Sequence, residues 1–262
     1  MNLGLINTWM FGGTPLSEKI EITLGRGGDV SFDARANFSL PTNLTVSWGG
    51  VEETIVLPGQ GSTMTTISRS GLSDGAVIKI INPKVLRGIS IYDMDAVGVY
   101  FPPKMPIMDS LTLSNLPNLE TFITRSSWTV LQTFNLLYLP NLTNIMFYKE
   151  WRNMSVLAIT DVPLSSVSIF PEWRFFRSFS ARNIPTLSIV NISITQLNLT
   201  SRSFVIDGSG VQNCNDILIA MDGHWRSGYV DLSGGTNSYI TGAGLVAADN
   251  LANLGVQLAY NS

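Results

Sequence analysis

Histidine and cysteine are almost missing from this chain, whose 262 residues contain one of each. With His224 alone, a multi-histidine metal centre is excluded, because such sites gather several imidazole or thiolate ligands. With Cys214 alone, an intrachain disulfide is excluded. Cys214 lies in an apolar stretch and reads as a small core residue rather than a reactive thiol. Charge is scarce too. Lys, Arg, Asp and Glu make up 13% of the residues, against the ~25% usual in globular domains. The net charge is −3, and the cations are scattered. Arg174, Arg177 and Arg182 come nearest to a cluster and read as a solvated face. No nucleic-acid partner is expected, since displacing counterions needs a concentrated electropositive surface. No apolar run approaches the ~18 residues of a membrane span. Residues 1–11 lack a basic n-region and a small-residue cleavage site, so no secretory leader is expected.

What the chain does have is apolar residues, at 45%, interleaved with Gly, Ser, Thr and Asn. That mixture supplies burial and turns, and it suits a β-rich fold. The first third reads as short strands between turn residues. Alternation of apolar and polar residues marks 19–24 and 30–36, separated by a turn at Gly25–Asp29. Residues 44–48 and 54–57 flank Gly49-Gly50 as a hairpin, and 77–81 form a further strand. Strands at this spacing with no helical period between them predict a small β-sandwich over residues 16–85.

The middle third repeats. Leu111-Thr112-Leu113-Ser114-Asn115-Leu116-Pro117 returns at 134–140, at 157–163 and at 179–185, each copy ending in proline. An upstream copy fits at 89–95, with Asp95 in place of proline, and a later one fits loosely at 197–199. After each proline an apolar pair recurs: Leu119 and Phe122, Leu142 and Ile145, Leu164 and Val167, Leu187 and Val190. One match is within reach of chance; four in phase are not. No single copy can close a core, so stacked copies must bury one another's apolar faces. This predicts a solenoid over residues 86–210 with 22–23-residue repeats. Residues 111–114, 134–137, 157–160 and 179–182 should form successive parallel strands, with Leu113, Leu136 and Ile159 as a buried stack. Proline should end each ladder, where a missing N–H matters least.

Trp128, Trp151 and Trp173 recur in the same phase, and Glu150 and Glu172 directly precede the last two. Arg152 and Arg174 follow them and suggest ion pairs with the glutamates. Three stacked indoles have two readings: rings sealing the coil corners, or an exposed platform for sugar rings with Glu and Arg binding hydroxyls. In the last third, 213–221 predicts a short helix with Ile217, Leu218 and Met221 inward. Residues 229–232 predict a strand. A helix follows from Thr241 as N-cap through Leu245, Ala248, Leu251, Ala252 and Leu254 to Gly255, and 256–260 predict a last strand. Residues 211–262 therefore form a small α/β cap, because an open solenoid end exposes apolar surface and unpaired backbone. The fold class is mainly β: an N-terminal β-sandwich, a solenoid and that cap.

The pattern Leu-x-Leu-x-Asn-Leu-Pro-x-Leu at 111–119 resembles the divergent, BspA-like leucine-rich repeats of surface and virion proteins from Bacteroidetes and their phages. Residues 230–237 and 241–245 are similar to the segment that closes repeat regions in such phage proteins. Val46-Ser47-Trp48-Gly49-Gly50 resembles the PKD-like sandwich that often precedes such repeats, without the aspartate of its usual Trp-Gly-Asp-Gly. The resemblance implies a recognition or structural role and supplies no catalytic residues.

Chemistry is sparse in the residues themselves. His224 lies in Asp222-Gly223-His224-Trp225-Arg226, which reads as a surface loop, and no Gly-x-Ser-x-Gly elbow surrounds a serine. Gly25-x-Gly27-Gly28 has no following helix to hold a phosphate. Glu150 and Glu172 are the best carboxylate pair for a carbohydrate-active β-solenoid, which is the lesser alternative. No enzyme activity and no cofactor are expected. The six Asn-x-Ser/Thr sequences match what this composition yields by chance. The expected function is a phage spike or fibre component attaching to a host receptor or surface glycan, located on the virion surface and made in the host cytoplasm. A bacterial cell-surface adhesin is the alternative. Residues 1–15 read as an arm that carries Leu5, Trp9, Met10 and Phe11 to other virion proteins. A homo-oligomer is expected, with a trimer as one option.

Overall fold

The computed structural model describes residues 18–36, 40–59, 63–192 and 203–261. The arm residues Leu5, Trp9, Met10 and Phe11 and the loose repeat at 197–199 lie outside them. The fold is mainly β, with a solenoid of about six turns.

In chain order the strands are β1 (Ile20–Leu24), β2 (Gly28–Ala36), β3 (Thr42–Trp48), β4 (Val51–Leu57), β5 (Thr65–Leu72), β6 (Val77–Ile80), β7 (Leu86–Tyr92), β8 (Ala96–Tyr100) and β9 (Ser110–Ser114). They continue with β10 (Thr121–Phe122), β11 (Thr133–Leu137), β12 (Val156–Thr160), β13 (Ser166–Ile169), β14 (Ser178–Arg182), β15 (Ile189–Ile192) and β16 (Ser203–Asp207). Then come helix α1 (Cys214–Met221), β17 (Gly228–Leu232), helix α2 (Ala243–Asn253) and β18 (Val256–Tyr260). A ten-stranded sheet has the order β18-β17-β16-β14-β12-β11-β9-β7-β2-β5, and a six-stranded sheet has the order β10-β8-β1-β6-β3-β4. A small third sheet pairs β13 with β15.

The N-terminal strands distribute between the two large sheets. The hairpin β3–β4 turns on Gly49 and Gly50, at φ 58° and 104°, a left-handed pair that glycine adopts without a Cβ clash. Across the sheets, Phe32 of β2 meets Trp48 of β3 with centroids 5.9 Å apart. β2 also pairs antiparallel with β7, so hydrogen bonding runs without a break past residue 85 into the repeats. β5 carries no alternation to mark it, because Thr-Thr-Ile-Ser-Arg-Ser-Gly-Leu is a mostly exposed edge with one buried residue, Ile67.

From β7 onward the sheet is parallel. β9, β11, β12, β14 and β16 pair in one unbroken register. Leu113, Leu136 and Ile159 are register partners, each with no exposed surface, as the alternation predicts. A second inward column runs Ile89, Leu111, Phe134, Leu157, Phe179, Phe204, Val230, and each member is 0–1% exposed. Burying a side chain of this size contributes about 1.5–3 kcal/mol, so the columns are the main cohesive element of the repeats. β16 departs from the even period because the coils lengthen here: Phe179 partners Phe204, and Phe204 partners Val230.

The corner after each strand differs from the expectation. The prolines do not end the ladder. Asp93, Asn115, Tyr138, Asp161 and Asn183 do so by adopting left-handed backbone, with φ of 50–55°. Each still donates its N–H to the next coil, as Asn115 does to Leu137 O at 2.9 Å and Tyr138 to Thr160 O at 2.8 Å. The ladder thus extends one residue past the strand, and proline follows two residues later, outside it. Asn and Asp tolerate this conformation through short polar side chains; Gly208, at φ 64°, takes the same place after β16.

The last third places a helix opposite each final strand. α1 buries Cys214, Ile217, Leu218 and Met221. β17 and β18 add to the parallel sheet. α2 differs in detail. Its inward face is Gly244, Ala247, Ala248 and Leu251, while Leu245 and Leu254 are 41% and 40% exposed. The reason is close approach: a Cβ on Gly244 would lie 2.1 Å from Asn215 Oδ1, so α2 meets α1 at its glycine. Gly242, not Thr241, is the N-cap. Thr241 instead accepts from Asn215 Nδ2 at 3.3 Å and donates its N–H to Asn215 Oδ1 at 3.0 Å.

Candidate functional site

The tryptophan ladder forms, and it is interior. Trp128 and Trp151 stack at 6.3 Å with planes 9° apart, and Trp151 and Trp173 at 6.2 Å with planes 14° apart. Their exposures are 0%, 0% and 3%. A sugar ring cannot lie on faces that are already covered, so the glycan-platform reading is corrected here. Phe134 and Phe147 meet Trp151 edge-on, and each indole N–H donates to a carbonyl of the preceding coil: Trp128 to Pro102 at 3.4 Å, Trp151 to Arg125 at 2.7 Å and Trp173 to Tyr148 at 2.9 Å. The ladder seals and stitches the coils.

Glu150 and Glu172 are half-buried beside it, and Arg152 and Arg174 are exposed. The expected glutamate–arginine ion pairs do not form. Instead the arginine backbone N–H donates to the glutamate carbonyl two residues back, at 2.8 Å and 2.9 Å, in a tight turn. His224 is half-buried rather than a free surface residue, with its N–H on Met221 O at 3.0 Å. Burial pushes the Cys214 thiol up from its ordinary value, against hydrogen bonds from Ser238, which suits an inert core thiol. Among the described residues no three His, Cys, Asp or Glu side chains gather to hold a metal. No described helix is long and apolar enough to cross a membrane.

The surface that remains is the outer face of the parallel sheet. The inward columns leave the alternate residues outward. Down its centre, in register, stand Ser90, Thr112, Asn135, Ala158 and Ser180, and the row passes into the buried Val205. All are small or uncharged, and Asn135 Nδ2 donates to Thr112 Oγ1 at 3.1 Å. From β7 to β18 the face extends about 34 Å at the ~4.8 Å spacing of strands. Two polar groups bracket it. At one end Asp109 binds Arg35 at 2.7 Å and Arg87. A shallow hollow of about 690 Å³ opens near the same end, lined by Asp29, Val30, Ser31, Ser68, Arg69 and Ser70.

At the other end lie Arg182, Asp207, Tyr229 and Asp231, on β14, β16 and β17. Tyr229 donates its hydroxyl to Asp231 Oδ2 at 2.7 Å, and Asp231 Oδ1 accepts from Ser233 N and Oγ at 2.9 Å and 2.6 Å. The bond to Asp231 raises the Tyr229 phenol above its ordinary value. Burial alone would raise Asp231, but the bonds from Ser233 and Tyr229, with Arg182 nearby, outweigh it and hold the carboxyl low. This cluster escaped the sequence reading. Its signal was the strand alternation, which puts Arg182 opposite Asp207 once Phe179 and Phe204 are aligned.

Neither a protein-family model, nor a curated protein, nor a solved structure matches this chain.

Proposed function

We propose that the chain is a non-enzymatic virion structural protein of spike or fibre type that projects its solenoid to attach to a host receptor or surface glycan. The observation that carries the recognition reading is the outer sheet face: a long, even surface of hydroxyl, amide and methyl groups with ionic clusters at both ends. Solenoids use such extended faces to bind partners, and hydroxyls and amides in rows suit polyhydroxylated or peptide ligands. The virion part rests on the similarity of residues 230–245 to segments that close repeat regions in phage proteins. In this reading residues 16–85 form a β-sandwich base, residues 211–262 cap the solenoid, and Leu5, Trp9, Met10 and Phe11 join neighbouring virion proteins. A bacterial surface adhesin would use the same face.

The test uses Asn135→Arg and Ser180→Arg, two outward positions away from the core. Each should reduce binding of the labelled chain to host cells or to a glycan array while leaving the melting temperature nearly unchanged. Unaltered binding by both variants would remove the face from the proposal. Detection of the chain in purified particles decides between virion and adhesin.

A further inference from the structure

Among the described residues β18 is an edge strand of the ten-stranded sheet and pairs only with β17, so one edge carries unpaired backbone groups. The two inward columns reach β18. Their members on this strand, Leu258 opposite Val230 and Tyr260 opposite Leu232, are half-exposed, whereas Val230 and Leu232 are each 1% exposed. Leu245 of α2, 41% exposed, belongs to the same final coil.

The other edges of the two large sheets are defended. β4 carries Glu52 and Glu53, and Arg69 of β5 lies 3.7 Å from Glu53. β5 also faces a register shift between Gly28 and Val30, and β10 is two residues long. Charges, bulges and short length are the usual devices against strand addition. Val256-Gln257-Leu258-Ala259-Tyr260 has none of them: no charge, no proline, no glycine.

We propose that β18 is the interface of a symmetric homodimer, pairing antiparallel with β18 of a second copy about a two-fold axis at Leu258. The strand is self-complementary in that register. Val256 falls opposite Tyr260 of the second copy, Leu258 opposite its own counterpart, and Gln257 opposite Ala259. The apolar residues share the inner side and the other two share the outer side, since alternate residues face opposite ways. A two-fold axis perpendicular to the sheet keeps inner side with inner side. The two sheets therefore merge into one of twenty strands, and each inward column continues into its partner. No like charges meet across the strands. A two-fold contact also closes on itself and leaves no new edge, unlike head-to-tail stacking. The dimer is independent of what the outer face binds, and it doubles that face.

The register supplies a charge-swap test on the full chain. Gln257→Lys with Ala259→Lys sets lysine against lysine across the axis; Gln257→Glu with Ala259→Glu does the same with glutamates. Gln257→Lys with Ala259→Glu sets lysine against glutamate. Sedimentation velocity should find the wild type and the Lys/Glu variant dimeric. The Lys/Lys and Glu/Glu variants should each dissociate about tenfold more readily or worse, and mixing those two should restore a dimer. Amide exchange in β18 should slow on dimerisation. A wild type that is monomeric throughout overturns the proposal. So does equal mass for Lys/Lys and Lys/Glu, which is the result if a peptide or another segment covers this edge. Both charged positions lie on the outer side, and the mixing arm reads pairing even if one variant alone folds poorly.

Discussion

Replacing Trp151 with alanine separates a structural ladder from a binding platform. The side chain is fully buried between Trp128 and Trp173 and touches Phe134 and Phe147 edge-on. Truncating a buried tryptophan costs about 3–5 kcal/mol. The stacked and edge-on contacts add about 0.5–1.5 kcal/mol per pair beyond area. Removing the indole N–H also leaves Arg125 O without its 2.7 Å donor, a loss of about 1–3 kcal/mol if that carbonyl stays buried. These losses overlap, so about 4–6 kcal/mol is a fair expectation, close to the whole stability of many domains, ~5–15 kcal/mol. Trp151→Phe keeps an aromatic ring and loses the N–H, so it should cost about half as much. Urea unfolding followed by far-UV circular dichroism measures both. If Trp151→Ala stays within about 1 kcal/mol of the wild type and loses ligand binding instead, the rings are exposed in solution and the reasoning fails.

Tyr138 sets the only bulky side chain at a corner where Asp93, Asn115, Asp161 and Asn183 adopt the same left-handed backbone. Tyr138→Asn should stabilise by about 0.5–1 kcal/mol, because the ring is 54% exposed and gives up little packing; a lower urea midpoint would contradict this. The low pKa of Asp231 has a definite sign. A depressed carboxyl stabilises the fold above its unfolded pKa of ~3.9 and loses that contribution as pH falls through the native value. Wild type should therefore exceed Asp231→Asn in stability at neutral pH, and the gap should close below about pH 3.9; a gap that persists at lower pH would place the interaction elsewhere.

The repeats were legible because two periods coincide in them. Alternation gives the inward face of each strand, and the 22–23-residue step fixes which strands are neighbours, so Leu113, Leu136 and Ile159 could be aligned without coordinates. Both signals weaken together after β14. The coils lengthen, and β16 has three consecutive buried residues, Phe204, Val205 and Ile206, which hides the alternation. The corner was misread for a different reason. Proline is the loudest residue in the repeat, yet the conformation is set two positions earlier by Asn, Asp or Tyr, whose preference for positive φ is weak and easily overlooked. The platform reading failed at exposure: in-phase tryptophans announce stacking, and stacking occurs equally inside a wall or on it.

In the proposed recognition role, burial of the aromatic ladder limits which side of the coil is left to bind. A coil has an inner side, a corner side and an outer strand side. Here Trp128, Trp151 and Trp173 occupy the corner side from within, and the apolar columns fill the interior. The strand side is what remains with every coil contributing in register, and its central residues are too small to screen the sheet from a partner. Small outward residues let a ligand approach the backbone, while large ones would have held it off. Bulk placed at Asn135 or Ser180 should therefore disturb binding more than loss of charge at Arg182 or Asp207, which lie at the margin of that face. Comparing Asn135→Arg with Arg182→Ala in the same binding assay ranks the two. If Arg182→Ala has the larger effect, ionic contacts at the cluster, rather than the sheet surface, govern attachment.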